Sequence, residues 1–377
     1  MKRFSILLLS VCLMFSTGCS KATGLFSNYR AIENLKLVHT IGFDIHKDGL
    51  QLSVSGGESE NEGIIRLSAS GKNISDALSA IQNYSGKEEL YYAHTRYVLV
   101  GQKYAEEGLG DIMQYLESSN QLRSDLPLFL IRSGKAGDLI AHAGGKKEST
   151  FEVLEAVVRD CTQSGNSYPF TCGDIASYTA EYGSTLACAL DIKPTKTVKA
   201  DAEEEELTPV VAGYGIIKQG KLVHFLSEEA SRGANLLLNE LGTQSVTVTL
   251  NHHPYSLKLK NVETTLKPTF GESGTMTSLT VELEVEAVIE EHEQAVEIDT
   301  AQLSRFFSKA VRQWIDEVLQ AMRHTQADFL GLGPRIAISY PKEWEANPLS
   351  WETQLKSLPM TAEIHCSISR GDNEAKN

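Results

Sequence analysis

Positive charge is in short supply in this chain. Among its 377 residues, 35 lysines and arginines stand against 49 aspartates and glutamates, a formal balance of −14. Binding a phosphate backbone needs a basic footprint, so nucleic acid is not expected as a partner. Long apolar runs are missing too: nothing after Phe15 approaches the roughly twenty uninterrupted apolar residues that a bilayer-spanning helix requires. The sequence therefore predicts a body that sits beside a membrane and does not cross it. Cysteine is sparse, six residues with no C-x-x-C spacing, which argues against a structural zinc site. Neither G-x-S-x-G nor H-E-x-x-H occurs, which removes the commonest exported hydrolases. Gly144-Gly145-Lys146-Lys147 fails the phosphate-loop spacing, because Ile140 stands where the first glycine belongs, and it reads as a turn. No catalytic residue, metal or cofactor is expected.

What the chain does have begins at its first residue. Lys2 and Arg3 precede an apolar core from Ile6 to Phe15, which has the length of a signal peptide. Thr17-Gly18-Cys19 follows, and a cysteine directly behind a small residue suits enzymes that place diacylglycerol on the thiol and cut before it. The stretch resembles the bacterial lipobox, with Ser16 where leucine is commonest. Cys19 is thus the expected lipidation site and residues 1–18 the signal; ordinary secretion with cleavage nearby is the alternative. Two acyl chains, at ~0.8 kcal/mol per buried methylene, hold a protein on a membrane stably where one is marginal. Removing residues 1–18 takes away Lys2 and Arg3 and leaves 33 basic against 49 acidic residues. That charge disfavours adhesion to anionic lipid, so a covalent anchor matters more.

A chain of this length exceeds one hydrophobic core, and multi-domain α+β or mixed α/β architecture is expected. An N-terminal mixed α/β domain is placed at 19–147. Residues 20–28 read as a polar spacer. A β-hairpin joins Leu35–Ile45 to Leu50–Val54 through Asp48-Gly49. A strand at Ile64–Ala69 leads to Asn73 as helix N-cap with Asp76 three residues on. The helix from Ile74 to about Tyr84 presents Ile74, Ala77, Leu78 and Ile81 on one face. A strand over Arg96–Gly101, a helix over Tyr104–Ser118 and an extended Leu126–Ile131 follow. Residues 148–206 read as a small middle unit, with a helix over Thr150–Asp160, closed by a linker over Lys193–Glu206 that has nothing to bury.

The C-terminal α/β domain is placed at 207–377. A second hairpin pairs Val210–Ile217 with Leu222–Leu226 around Lys218-Gln219-Gly220-Lys221. Ser227 caps a helix that carries Glu228 and Glu229 in its first turn, buries Leu236, Leu237 and Leu241, and stops at Gly242. From Leu279 to Ile289 the odd positions are apolar while Glu282, Glu284 and Glu286 hold even ones, the alternation of a strand with one wet face. Asp299 and Gln302 start the longest helix, whose stripe of Leu303, Phe306, Phe307, Ala310, Trp314, Val318 and Met322 makes it the backing of a sheet. Leu358–Ile368 is the last strand. His252 and His253, on a strand, would point to opposite sides and read as surface histidines. The glutamate row, with alternate carboxylates about 7 Å apart, reads as a solvated face and not a cation site. Cys161, Cys172, Cys188 and Cys366 remain in the body: either one disulfide forms among the first three, or all four stay as buried thiols.

The order of segments resembles the Ger(x)C family of spore germination lipoproteins, the C subunits of nutrient germinant receptors. The stretches that carry the likeness are the lipobox, Arg30–Asp44 (RAIENLKLVHTIGFD), Gly71–Ala80 (GKNISDALSA), His94–Gly101 (HTRYVLVG), Gly215–Gly233 (GIIKQGKLVHFLSEEASRG), Asp328–Gly333 (DFLGLG) and Arg370-Gly371. The family commonly has Trp-Asp after the lipidated cysteine, where this chain has Ser20-Lys21. The resemblance implies a lipid-anchored protein on the extracytoplasmic face of the inner spore membrane. It implies assembly with two integral membrane subunits, of A and B type, and no enzymatic activity. A solute-binding lipoprotein of an uptake system is the competing expectation.

Overall fold

A computed structural model describes residues 35–47, 49–57, 63–86, 89–119, 121–144, 148–164, 167–199, 202–239, 245–292 and 299–370; side chains at 162–164, 195–199 and 202–206 are not described. The expectations for residues 1–34, which include Cys19, and for Asp48, Gly145–Lys147, Leu241, Gly242 and Gly371 lie outside those residues.

The described residues build two mixed sheets with packed helices. The first begins with β1 (Leu35–His46), β2 (Gly49–Gly56) and β3 (Ile65–Gly71), an antiparallel meander in which His46 faces Gly49 across the turn. Asn73 then caps α1 (Ile74–Tyr84): its side chain accepts from the Asp76 N–H at 2.9 Å, and the Asp76 carboxylate accepts from the Lys72 N–H. Ile74, Ala77, Leu78 and Ile81 are the buried face of α1, as the spacing required. Short β4 (Glu89–Tyr91) pairs with the start of β1, and β5 (Tyr97–Gly101) runs parallel to β1. The helix expected over Tyr104–Ser118 is two helices, α2 (Gln102–Glu107) and α3 (Gly110–Ser118). Gly108 sits between them at φ 143°, a conformation that side chains other than hydrogen resist, and the chain turns there.

β6 (Leu128–Arg132) adds parallel to β5, followed by α4 (Ala136–His142), α5 (Thr150–Ser164) and α6 (Cys172–Tyr182). Val98, Val100, Leu128 and Leu130 join one apolar cluster, while Tyr97, Leu99, Phe129 and Ile131 join a second with Leu139 and Ile140 of α4 and Leu154 and Val157 of α5. This is the alternation of buried strands covered on both faces. β7 (Ser184–Lys199) is parallel to β6, and β8 (Ala202–Lys218) and β9 (Lys221–Phe225) continue antiparallel. The sheet order is β3-β2-β1-β5-β6-β7-β8-β9, a parallel centre flanked by a meander at each end. Within the expected linker, residues 193–199 and 202–206 are instead the distal part of the β7–β8 ladder, whose register runs from Ser184↔Lys218 to Lys199↔Ala202. Cross-strand pairing supplies the backbone partners that composition alone could not reveal. The divisions expected at 147/148 and 206/207 both fall within the run of strands from 35 to 225 that builds this sheet.

Gln219 and Gly220, both at positive φ, form the two-residue turn between β8 and β9. Ser227 caps α7 (Glu228–Leu238) by accepting from the Ala230 N–H at 3.0 Å; the helix ends at Asn239 in the left-handed conformation, earlier than the glycine stop expected at 242. The second sheet has the order β10 (Ser245–Leu250), β11 (His253–Phe270), β12 (Met276–His292), β13 (Met360–Arg370). Asn251 and His252, at φ 53° and 71°, are the turn between β10 and β11, so His252 is not on a strand.

All six odd positions from Leu279 to Ile289 are buried. They join one apolar cluster with the buried face of α8 (Thr300–Thr325), which Asp299 caps through the Gln302 N–H at 2.9 Å. Phe306, included in the expected stripe, is 36% exposed, and Val311, Ile315 and Leu319 are buried instead, because the stripe follows the 3.6-residue period around the helix. Helix α8 carries the chain back so that β13 lies parallel to β12. α9 (Leu332–Ser339), α10 (Pro341–Ala346) and α11 (Trp351–Leu355) complete that connection. One continuous apolar cluster runs through both sheets, and the joint is the crossing of α7 with α8. A Cβ on Gly233 would meet the Trp314 carbonyl oxygen at 2.6 Å, so the close approach of these helices requires glycine.

Candidate functional site

The sequence stretches singled out above converge on two buried carboxylates, each holding a helix start. Asp44, near the end of β1 and 2% exposed, accepts from the backbone N–H groups of Ala136 (3.0 Å) and Gly137 (2.8 Å) at the first turn of α4. Burial raises its pKa, and the two N–H bonds work against that rise. Gly101 lies alongside: a Cβ there would stand 2.1 Å from Asp44 Oδ1. Gly42 is closed off by Ile140 and Ala136 of α4, at 2.7 and 3.0 Å from an added Cβ. These glycines let α4 lie directly on β1, so their role is packing.

Asp328, in the connection from α8 to α9, plays the same part in the second half. It is 6% exposed and accepts from Leu332 N–H (2.8 Å), Gly333 N–H (2.7 Å) and the Trp351 indole Nε1–H (2.8 Å). Burial again pushes the carboxyl up, opposed by these donors. Gly331 takes the left-handed conformation at φ 64°, and a Cβ on Gly333 would strike the Trp351 ring at 2.6 Å. DFLGLG is thus a clamp joining α9 to α11. Trp351 is the partner that sequence reasoning missed, because its contact spans 23 residues.

Beside this clamp the two halves of the molecule meet around a cavity of about 80 Å³. The first half contributes Tyr182, Ser184, Lys218 and Gln219; the second contributes Gln326, Asp328, Trp351 and Glu352. Lys218 spans the gap, donating to the Thr325 carbonyl at 3.2 Å and pairing with Glu352 at 3.4 Å. The Ser184 hydroxyl is buried without a hydrogen-bond partner. About 80 Å³ is room for two or three waters or for one side chain.

The remaining sequence candidates stay apart. Glu282 pairs with Lys267 at 2.6 Å, while Glu284 and Glu286 are exposed on the wet face of β12. Among the described residues no group of three or more His, Cys, Asp or Glu side chains is placed to hold a metal, and no helix is long and apolar enough to cross a membrane. The four described cysteines are free thiols, so the disulfide entertained for Cys161, Cys172 and Cys188 is absent. Cys161 and Cys188 approach to 3.9 Å between sulfurs, against the ~2.05 Å of a bond, and Cys172 belongs to the other apolar cluster. Burial pushes the Cys172 thiol up to about 12 and the partly exposed Cys366 thiol up to about 11.

Comparison with known proteins gives matches over nearly the whole chain. Residues 28–192 match the family model described as the spore germination protein N-terminal domain, and residues 212–371 the one described as spore germination B3/GerAC like, C-terminal. Spore germination protein KC of Bacillus subtilis (strain 168) is 22% identical over 379 residues, covering 90% of each protein. The crystal structure of the GerBC protein superposes with a TM-score of 0.57 at 17% identity, covering 87% of this chain and 96% of that one. The last of these is a likeness of fold.

Proposed function

The chain belongs to the Ger(x)C family of spore germination proteins, and on that premise we propose that it is the lipid-anchored, non-enzymatic C subunit of a nutrient germinant receptor. A role in spore germination and association with the spore membrane follow from the family. The finer reading is that Cys19 carries the lipid, that the body lies on the extracytoplasmic face of the inner spore membrane, and that it works by assembly with A- and B-type integral membrane subunits.

The observation that supports this reading is what the family-like stretches do: Gly42, Asp44, Gly101, Gly233, Asp328 and Gly333 are all spent on holding helices against sheets or against one another. A scaffold needs that rigidity.

The test is dipicolinic acid release from spores lacking the chain, with nutrient mixtures compared against a trigger that bypasses receptors. Loss of the nutrient response alone is expected, and Cys19→Ala should reproduce it together with loss of the protein from the membrane fraction. A normal response to every nutrient in spores that also lack sister receptors would overturn the reading. Calorimetry separates the solute-binding alternative, which requires tight binding of amino acids or sugars by the body alone.

A further inference from the structure

Two sulfurs touch inside the first half of the molecule. Cys161 lies on the buried face of α5 with Leu154 and Val157, and Cys188 lies on β7 between Phe129 of β6 and Tyr214 of β8. Their Sγ atoms are 3.9 Å apart, and the two residues are 1% and 0% exposed. Cys172 packs in the other apolar cluster, and Cys366 sits in the second half with its N–H bonded to Ser308, so neither competes for this contact.

Both residues are thiols here, and little separates them from a bond. Closing 3.9 Å to the ~2.05 Å of a disulfide takes about 1.9 Å of travel, while a change of staggered rotamer carries a cysteine sulfur roughly 3 Å. Side-chain rotation is large enough to supply it. Helix α5 is already held at its start, where the Ser149 N–H donates to the Glu152 carboxylate at 2.6 Å and the Thr150 hydroxyl to the Ile140 carbonyl at 3.3 Å. Cys161 stands about three turns further on, where α5 meets β7.

We propose that Cys161 and Cys188 are a redox-active dithiol, which an oxidant of the peroxide class converts to a disulfide that ties the C-terminal end of α5 to β7. One sulfur attacks the peroxide: an S–O bond forms, the O–O bond breaks, and the departing hydroxide takes the thiol proton and becomes water. The second sulfur attacks the sulfenic sulfur so made; S–S forms, S–O breaks, and the second hydroxide leaves as water with the other thiol proton. Each sulfur loses one electron and each peroxide oxygen gains one. Burial pushes the Cys188 thiol well above its usual range, and the thiolate is the nucleophile, so the closed fold reacts slowly. The inference stands apart from the receptor-subunit reading, because its test uses the chain alone.

The experiment treats the detergent-solubilised full chain with hydrogen peroxide under native conditions, then unfolds it in iodoacetamide and maps the peptides by mass. A linked pair is expected, Cys161 with Cys188, two hydrogens lighter than the free thiols, with Cys172 alkylated. A bond across a separation of 27 residues should raise the thermal transition by about 5–10 °C, and dithiothreitol should reverse the rise. Cys161→Ala should abolish both the link and the rise, whereas Cys172→Ala should keep both. The proposal is overturned if Cys161 and Cys188 stay alkylatable once partly exposed Cys366 has been oxidised, if the link joins a different pair, or if the linked chain melts no higher than the reduced one.

Discussion

Replacing Asp328 by alanine should weaken the second half of the molecule more than any other single polar change. The carboxylate accepts three hydrogen bonds, from the buried N–H groups of Leu332 and Gly333 and from the half-buried Trp351 indole. Each buried donor left unpaired costs ~1–3 kcal/mol. Relief from burying a charge offsets part of that sum, since burial is the leading influence on this carboxyl. A net loss of about 3–4 kcal/mol follows, and at roughly 2–4 °C per kcal/mol for a unit of this size Tm should fall about 6–16 °C. Urea unfolding of the body, followed by tryptophan fluorescence and by circular dichroism, measures it, because Trp351 reports on the clamp directly. Trp351→Phe removes a single donor and should cost about 1 kcal/mol. The double variant should lose less than the two single losses added, since both act on one network. A loss below about 1 kcal/mol for Asp328→Ala, or strict additivity, would refute the clamp.

Three further changes probe other parts of the fold. The Cys366 and Ile368 N–H groups of edge strand β13 donate to Ser308 and Ser304 of α8 at 3.1 and 3.2 Å, so the double change to alanine should free the edge and cost about 1–3 kcal/mol. Sedimentation velocity should then show concentration-dependent association that the parent lacks. Gly233→Leu should separate α7 from α8 and cost about 3 kcal/mol or more in thermal unfolding, whereas Gly110→Ala, with open space around it, should stay within about 1 kcal/mol.

The third change is at the Arg132–Asp191 pair, which joins β6 to β7 with Nε–Oδ1 at 2.8 Å, and the hydrogen bond from Arg132 holds the Asp191 carboxyl below its usual value of 3.8. A depressed folded pKa means that the stabilisation is present above that usual value and is lost as pH falls through the folded one. Both side chains are about a third exposed, at 33% and 28%, so Asp191→Asn should cost only about 0.5–1 kcal/mol at neutral pH. That difference should vanish in strong acid, and one that grew toward acid would reverse the assignment.

The local elements were legible because their signals are local. Asn73, Ser227 and Asp299 each cap the helix they precede, and the alternation from Leu279 to Ile289 buried the residues it marked. The helix over Tyr104–Ser118 failed for the complementary reason: periodicity spans a break that one glycine conformation imposes. The family stretches pointed to the right residues without their purpose, since Gly42, Gly101 and Gly233 show their role only against Ile140, Asp44 and Trp314.

By itself the sequence determined composition, caps, strand alternation and the family-like order of segments, all set by neighbours within a few turns or residues. Tertiary structure alone decided that 193–199 and 202–206 pair as a ladder of strands and that Asp328 and Trp351 form one clamp. It also decided that rings from α6 and α11 meet at one junction. Each of those depends on contacts between residues far apart in the chain, where pairing of backbone groups and exclusion of water override what composition favours.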